Sequence, residues 1–186
     1  MAITIVETSG AANANSYLSL ADASGIIEGF VENDYVTAWS TATTDQKNRA
    51  LFTAAQRIDR ERFLGARATD TQAMQWPRTG VRKPDRYINT YAIGFPFRVT
   101  TDYFTDTEIP IEIRRAQAVL AAYLNNNKSS LELTGLEDYK NVSIGDLNVT
   151  PNFYGAVGQD KIPPMVQIYF RDLRVSGPGN VAIRRS

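Results

Sequence analysis

A mainly α protein, a small helical bundle of about four helices with a small β element, is the fold class this sequence predicts. Two helix-start signals, Ser19 with Asp22 and Thr43 with Gln46, each open a run of apolar residues at helical spacing. A third such run follows Pro110, a residue suited to the first turn of a helix. Strand-like alternation is confined to an N-terminal strand at Ile3 to Glu7 and a hairpin near 139–149. The length of 186 residues suits one domain with a real core. We place that helical domain over residues 1–173, with a long inserted loop or hairpin at 82–108 and an extended C-terminal arm over 174–186.

After the first strand a loop of small residues runs to Asn15, and Leu20, Ala23, Ile27 and Val31 then recur at helical spacing until Asn33 and Asp34 end the helix. In the second helix Ala50, Ala54 and Ile58, with Leu51 and Ala55, form a wide apolar stripe ending near Phe63-Leu64-Gly65. Its opposite face takes Lys47, Arg49, Arg57, Arg60 and Arg62. That face is either a solvated surface or, extended by Arg67 and Arg78, a basic one that meets phosphates or acids.

Gln75-Trp76-Pro77-Arg78-Thr79-Gly80-Val81 is an anchored turn. Pro77 fixes its own φ and holds Trp76 away from helical dihedrals, and Gly80 supplies a left-handed conformation. The indole is expected to plug the core. In the third helix, Glu112 sits at the favourable end of the dipole, and Ile113, Ala116, Gln117, Leu120, Ala121 and Leu124 form the buried face up to Asn125-Asn126-Asn127. Val142, Ile144, Leu147 and Val149 flank Gly145-Asp146 as a hairpin or a single bent strand, able to pair with the N-terminal strand. Pro163 opens a last short helix carrying Val166, Ile168, Tyr169, Phe170 and Leu173, and Ser176-Gly177-Pro178-Gly179-Asn180 ends regular structure.

Between Arg82 and Thr107, Tyr87, Tyr91, Phe95, Phe97, Tyr103 and Phe104 are interleaved with Arg82, Lys83, Arg86 and Arg98. Three readings stand together: a hairpin (Arg86 to Tyr91, Phe95 to Thr101) presenting a subunit or tail interface, a hairpin folded onto its own domain, or a platform on which single-stranded bases stack. Beyond Asn180, Val181 and Ile183 followed by Arg184 and Arg185 suit either an extended arm that adds to a partner or a frayed terminus.

The sequence has no cysteine and no histidine, which removes thiol nucleophiles, thiolate metal sites, the commonest general base and the commonest transition-metal ligand. With no clustered carboxylates or phosphate-binding glycine pattern either, we expect no enzyme, catalytic residues, metal or cofactor. No apolar run is long enough to cross a bilayer and the start lacks a signal-peptide pattern, so a soluble protein without membrane partners is expected. Net charge is zero but uneven: residues 1–46 hold six acids and no base, and residues 47–98 hold eleven bases against four acids. Either the segments neutralise one another within the monomer or opposite faces meet between identical subunits in a closed ring.

Ile5-Val6-Glu7, Ala12 to Ser19, Ile58-Asp59-Arg60, Gln72 to Val81, Ile109-Pro110 and Arg115-Ala116 occur in this order in a chain that resembles the tailed-phage head-to-tail adaptor (head-completion, or connector) family. Some members of that family carry the description DnaT-like single-stranded DNA-binding protein. The resemblance runs from about Ile3 to Leu173, with a longer segment between Arg82 and Glu108 than the family's usual turn. It implies a structural virion protein at the neck of a bacteriophage, assembled in the host cytoplasm as a homo-oligomeric ring, a dodecamer beneath the portal protein. DNA would pass through its channel without sequence-specific binding, and a downstream neck or tail-terminator (stopper) protein would lie below. It also implies that the arm with Val181, Ile183, Arg184 and Arg185 grips the portal. The subunit or tail interface read for Tyr87, Tyr91, Phe95, Phe97 and Arg98 rests instead on their composition, aromatics beside a base. The alternative function is single-stranded DNA binding on the basic face of Arg49, Arg57, Arg60 and Arg67 together with the aromatic segment between Arg82 and Thr107.

Overall fold

The computed structural model describes residues 3–83, 102–127, 142–144, 147–149 and 162–175. It is mainly helical, with its core gathered around one long helix. Ser19 opens α1 (Leu20–Glu28), its side chain accepting from the Asp22 amide at 3.0 Å. Thr43 opens α3 (Thr44–Ile58) with a full capping box, since the Gln46 side chain returns to the Thr43 amide at 2.9 Å.

Between them lies α2 (Asp34–Thr41), which the sequence reading had missed. Asn33 does not end the first helix; it starts the second, its side-chain oxygen accepting from the amides of Tyr35 and Val36. The first helix has already stopped at Gly29, so Val31 falls off the buried stripe and is 87% exposed.

α4 (Ile111–Asn127) is the hub, packing against α1, α2, α3 and α5 (Pro164–Phe170). Its centre, Ala116 to Ala122, is buried on nearly every side, as a helix surrounded by others requires. The expected buried residues Ile113, Ala116, Gln117, Leu120, Ala121 and Leu124 are all there. Gln117 is the polar member and is fully used: its Oε1 accepts from the Tyr17 amide at 2.8 Å, and its Nε2 donates to Ser16 Oγ at 2.8 Å and to the Leu51 carbonyl at 2.9 Å. One side chain thereby ties the N-terminal segment, α3 and α4 together.

Among the described residues the β content is two short antiparallel pairs. β1 (Ala66–Arg67) pairs with β2 (Arg78–Thr79), and β3 (Val142–Ile144) pairs with β4 (Leu147–Val149) as the expected hairpin. The N-terminal strand is not formed. Residues 3–7 are held largely by side chains: Asn15 Oδ1 accepts from the Val6 amide at 2.8 Å, Asn15 Nδ2 donates to the Thr4 carbonyl, and Asn48 donates to the Ile3 carbonyl, while the Asn15 amide donates to the Val6 carbonyl at 2.9 Å. Among the described residues, the hairpin accordingly pairs only with itself.

α3 ends at Ile58 rather than near Gly65, and α5 leads into a 3-10 turn at Arg171–Leu173. Phe170 and Leu173 are buried as expected, whereas Ile168 faces outward at 69% exposure. Beyond the turn, Arg174 bridges Phe63 and the Val175 amide donates to the Arg62 carbonyl at 2.9 Å.

Candidate functional site

The turn at 75–81 carries a buried indole. Trp76 is 1% exposed, with Phe63 and Phe104 packed edge-on at ring-centre distances of 5.7 and 5.9 Å. The Trp76–Pro77 bond is cis, and Gly80 has the expected left-handed backbone at φ 75°. A second left-handed glycine, Gly65 at φ 70°, lies so close to β2 that a Cβ there would strike the Thr79 carbonyl oxygen and stand 2.8 Å from Val81 Cγ2.

Arg78 secures this corner. Its Nε donates to the Leu64 carbonyl at 2.7 Å, Nη2 to the carbonyls of Gly65 (2.7 Å) and Phe63 (3.3 Å), and Nη1 to Gln75 Oε1 at 2.9 Å. Burial lowers the pKa of its guanidinium from the usual arginine value. Nearby, the Tyr17 hydroxyl donates to Asp59 Oδ1, which also accepts from the Gln75 amide at 3.3 Å. Burial raises both pKa values, Tyr17's well above the ordinary tyrosine value and with a further contribution from the Asp59 charge.

The basic residues differ in burial. Arg78 stitches backbone, and Arg57 is buried at 4% exposure because it falls three residues after Ala54 and seven after Ala50, on the apolar stripe itself. Burial, then the neighbouring Arg60 charge, lowers its pKa. Arg49 pairs with Asp45 at 2.8 Å, and Lys47 lies over the Trp39 ring at 5.6 Å. Of the four residues expected to form the basic face, Arg49, Arg60 and Arg67 are exposed and Arg57 is not.

The inserted segment begins and ends as an antiparallel pair. Arg82 bridges Tyr103, the Lys83 amide donates to the Asp102 carbonyl at 3.0 Å, and the Phe104 amide donates to the Val81 carbonyl at 3.0 Å. Tyr87, Tyr91, Phe95, Phe97 and Arg98 lie outside the described residues, as do Val181, Ile183, Arg184 and Arg185.

What the sequence reading missed is an open apolar cleft of about 330 Å³. Ile27, Phe30, Val31, Tyr35 and Val36 line it from the α1–α2 side, Val119 and Ala122 from α4, and Met165 and Tyr169 from α5. The sequence signalled only that Ala118 to Leu124, seven residues without a charge, must meet partners on more than one face, not that a cleft would lie there. Phe30 and Val31, just past the α1 stop, remain exposed on its edge. The exposed acids Glu28, Glu32 and Asp34 lie next to these lining residues in the chain. On α4, Arg115 is exposed one turn before Val119.

Among the described residues there is no group of three acidic, histidine or cysteine side chains that could hold a metal ion, and no helix is long and apolar enough to cross a membrane. Compared with known proteins, residues 1–185 match the model of the family described as "Putative DnaT-like ssDNA binding protein". No curated protein matches, and no solved structure matches.

Proposed function

The chain belongs to this DnaT-like family, and we propose that its working surface is a protein-binding one, used as a head-to-tail adaptor of a tailed-phage neck. The observation that carries this reading is the apolar cleft walled by Phe30, Val31, Tyr35, Val119, Met165 and Tyr169. Exposed apolar surface of this kind marks contacts with proteins more than with phosphates. The fate of the basic residues supports the same reading: Arg57 and Arg78 are buried in the fold and Arg49 is paired with Asp45. Affinity for a nucleic-acid backbone needs several unspent cations on one track. In this proposal the protein forms a ring matching the portal, holds the portal through residues 181–185, lets DNA pass without reading it, and performs no catalysis.

The family description favours a second reading, single-stranded DNA binding. It would draw on exposed Arg60 and Arg67 and on the aromatic and basic residues between Arg82 and Thr107. Native mass measurement of the purified protein, alone and with oligo-dT at physiological salt, separates the two. A ring-sized mass with no oligonucleotide retained supports the adaptor. A monomer that takes up oligo-dT, with affinity falling steeply as salt rises, overturns it in favour of the family description.

A further inference from the structure

We propose that the apolar cleft of one copy receives the surface formed by residues 60–67 and 174–175 of a second copy. The inference rests on the ring reading above and names the contact that builds the ring. The donating surface is apolar and basic. Phe63 and Arg174 form an antiparallel bridge, flanked by the Leu64 amide donating to the Leu173 carbonyl and the Val175 amide donating to the Arg62 carbonyl, both at 2.9 Å. Phe63 is buried, so the alternation of extended chain puts Arg62 and Leu64 on the opposite side, with Val175 across from Arg62. Leu64 is 39% and Val175 49% exposed, and Arg60, Arg62 and Arg67 are exposed around them.

The cleft carries the opposite charge. Glu28, Glu32 and Asp34 are exposed along its α1–α2 side, and residues 1–46 contain no base to offset them. None of the ion pairs among the described residues uses these three acids, Arg62 or Arg67. Two aliphatic side chains among arginines thus match an apolar site edged by acids. Arg115, exposed one turn before Val119, is the like charge on the α4 side, so the arriving arginines lie toward α1 and α2. The two surfaces share no residue and occupy different places. Asn125 Nδ2 donates to the Ala38 carbonyl, ahead of α3, and Gln117 Nε2 to the Leu51 carbonyl in its middle, so α4 runs antiparallel to α3. The cleft wall at Val119 and Ala122 therefore lies toward the start of α3, whereas residues 60–67 follow its end. One copy can then fill a neighbour's cleft while its own is filled by the next, the arrangement that closes into a ring. Cleft against cleft would instead bring two sets of three acids together.

Charge reversal in the full-length protein tests this. Glu28→Lys with Glu32→Lys reverses the cleft, and Arg62→Glu with Arg67→Glu reverses the donating surface; all four side chains are exposed, and melting temperature checks that each variant is folded. In native mass measurement over a concentration series, each reversed chain alone should assemble only at concentrations at least about tenfold above the parent's. Mixed in equal amounts, the two should assemble at the parent's concentration with equal numbers of each, since the reversed cleft accepts the reversed surface and the native cleft the native one. Reversed chains that assemble as the parent does would overturn the inference and leave the ring reading to other surfaces. Chains that fail alone and are not rescued by mixing would overturn it as well. A parent that stays monomeric at every concentration would overturn the ring reading and this contact together. Loss of oligo-dT retention by the Arg62→Glu, Arg67→Glu chain with assembly unchanged would overturn the inference and assign those arginines to DNA.

Discussion

The corner around Trp76 and the cleft bordered by Tyr169 are both apolar, yet they are built in opposite ways. At the corner, Phe63 and Phe104 close on the indole, Arg78 spends its donors on the backbone of residues 63–65 and on Gln75, and Gly65 touches β2 with no room for a methyl group. At the cleft, Phe30, Val31 and Met165 remain exposed and the described residues leave the space between α1, α2, α4 and α5 open. Closure of the corner stabilises the monomer, whereas the open cleft leaves apolar surface for something else to cover. Substitutions at the corner should therefore be read in unfolding, and substitutions at the cleft in association.

Gly65→Ala should have the largest effect. It combines a left-handed backbone, costly for any residue with a Cβ, with a collision against the Thr79 carbonyl that only movement of β2 relieves. A loss of more than about 4 kcal/mol is expected in urea unfolding. Gly25→Ala is the matched control in α1, where a Cβ meets nothing within 4 Å, and should stabilise by about 0.5–1 kcal/mol. Similar behaviour of the two variants would mean that the corner is not close-packed.

Trp76→Ala should cost about 3–5 kcal/mol, as for truncation of a buried aromatic. Because Trp39 is also buried and also fluoresces, the measurement is thermal unfolding rather than emission. An unchanged melting temperature would place the indole at an interface and erase the contrast with the cleft.

A smaller, pH-dependent effect is expected from Tyr17→Phe, which removes the hydroxyl donated to Asp59 and should cost about 1–3 kcal/mol near neutrality. The tyrosine pKa is raised in the folded state, so between its unfolded value near 10.0 and the folded value the native protein holds a proton that the unfolded chain has released. That contribution to stability is complete below pH 10 and is lost as pH rises toward the folded value. The melting temperature of the variant should therefore fall less steeply above pH 10 than that of the parent. Parallel slopes would show that Tyr17 is not held protonated by burial.

The corner was more legible than the cleft, for reasons that lie in particular residues. Pro77 and Gly80 constrain backbone locally, so the turn and the direction of Trp76 could be read from seven letters. Capping by Ser19 and Thr43 is equally local. Arg57 misled because a charge suggests solvent, although its spacing from Ala50 and Ala54 already put it on the buried stripe. Asn33 misled because asparagine suits a helix end and a helix start alike; only its two accepted amide bonds decide. The cleft was illegible because it draws its walls from residues 27–36, 119–122 and 165–169, whose meeting depends on how four helices pack.

Val31→Ser is the smallest expected change in stability and the sharpest test of the contrast. Val31 lies past the end of α1 and is 87% exposed, so its removal leaves no cavity in the core and opens no buried polar group. The melting temperature should move by no more than the equivalent of about 0.5 kcal/mol. Association should respond more, because a hydroxyl on the edge of an apolar cleft must be desolvated when the cleft is covered. For the proposed ring, native mass measurement of parent and variant over a concentration series reads this as a shift of assembly to higher protein concentration. A variant that melts early but assembles normally would reverse the assignment, making residues 30–31 part of the stabilising core and leaving assembly to the inserted segment or the arm.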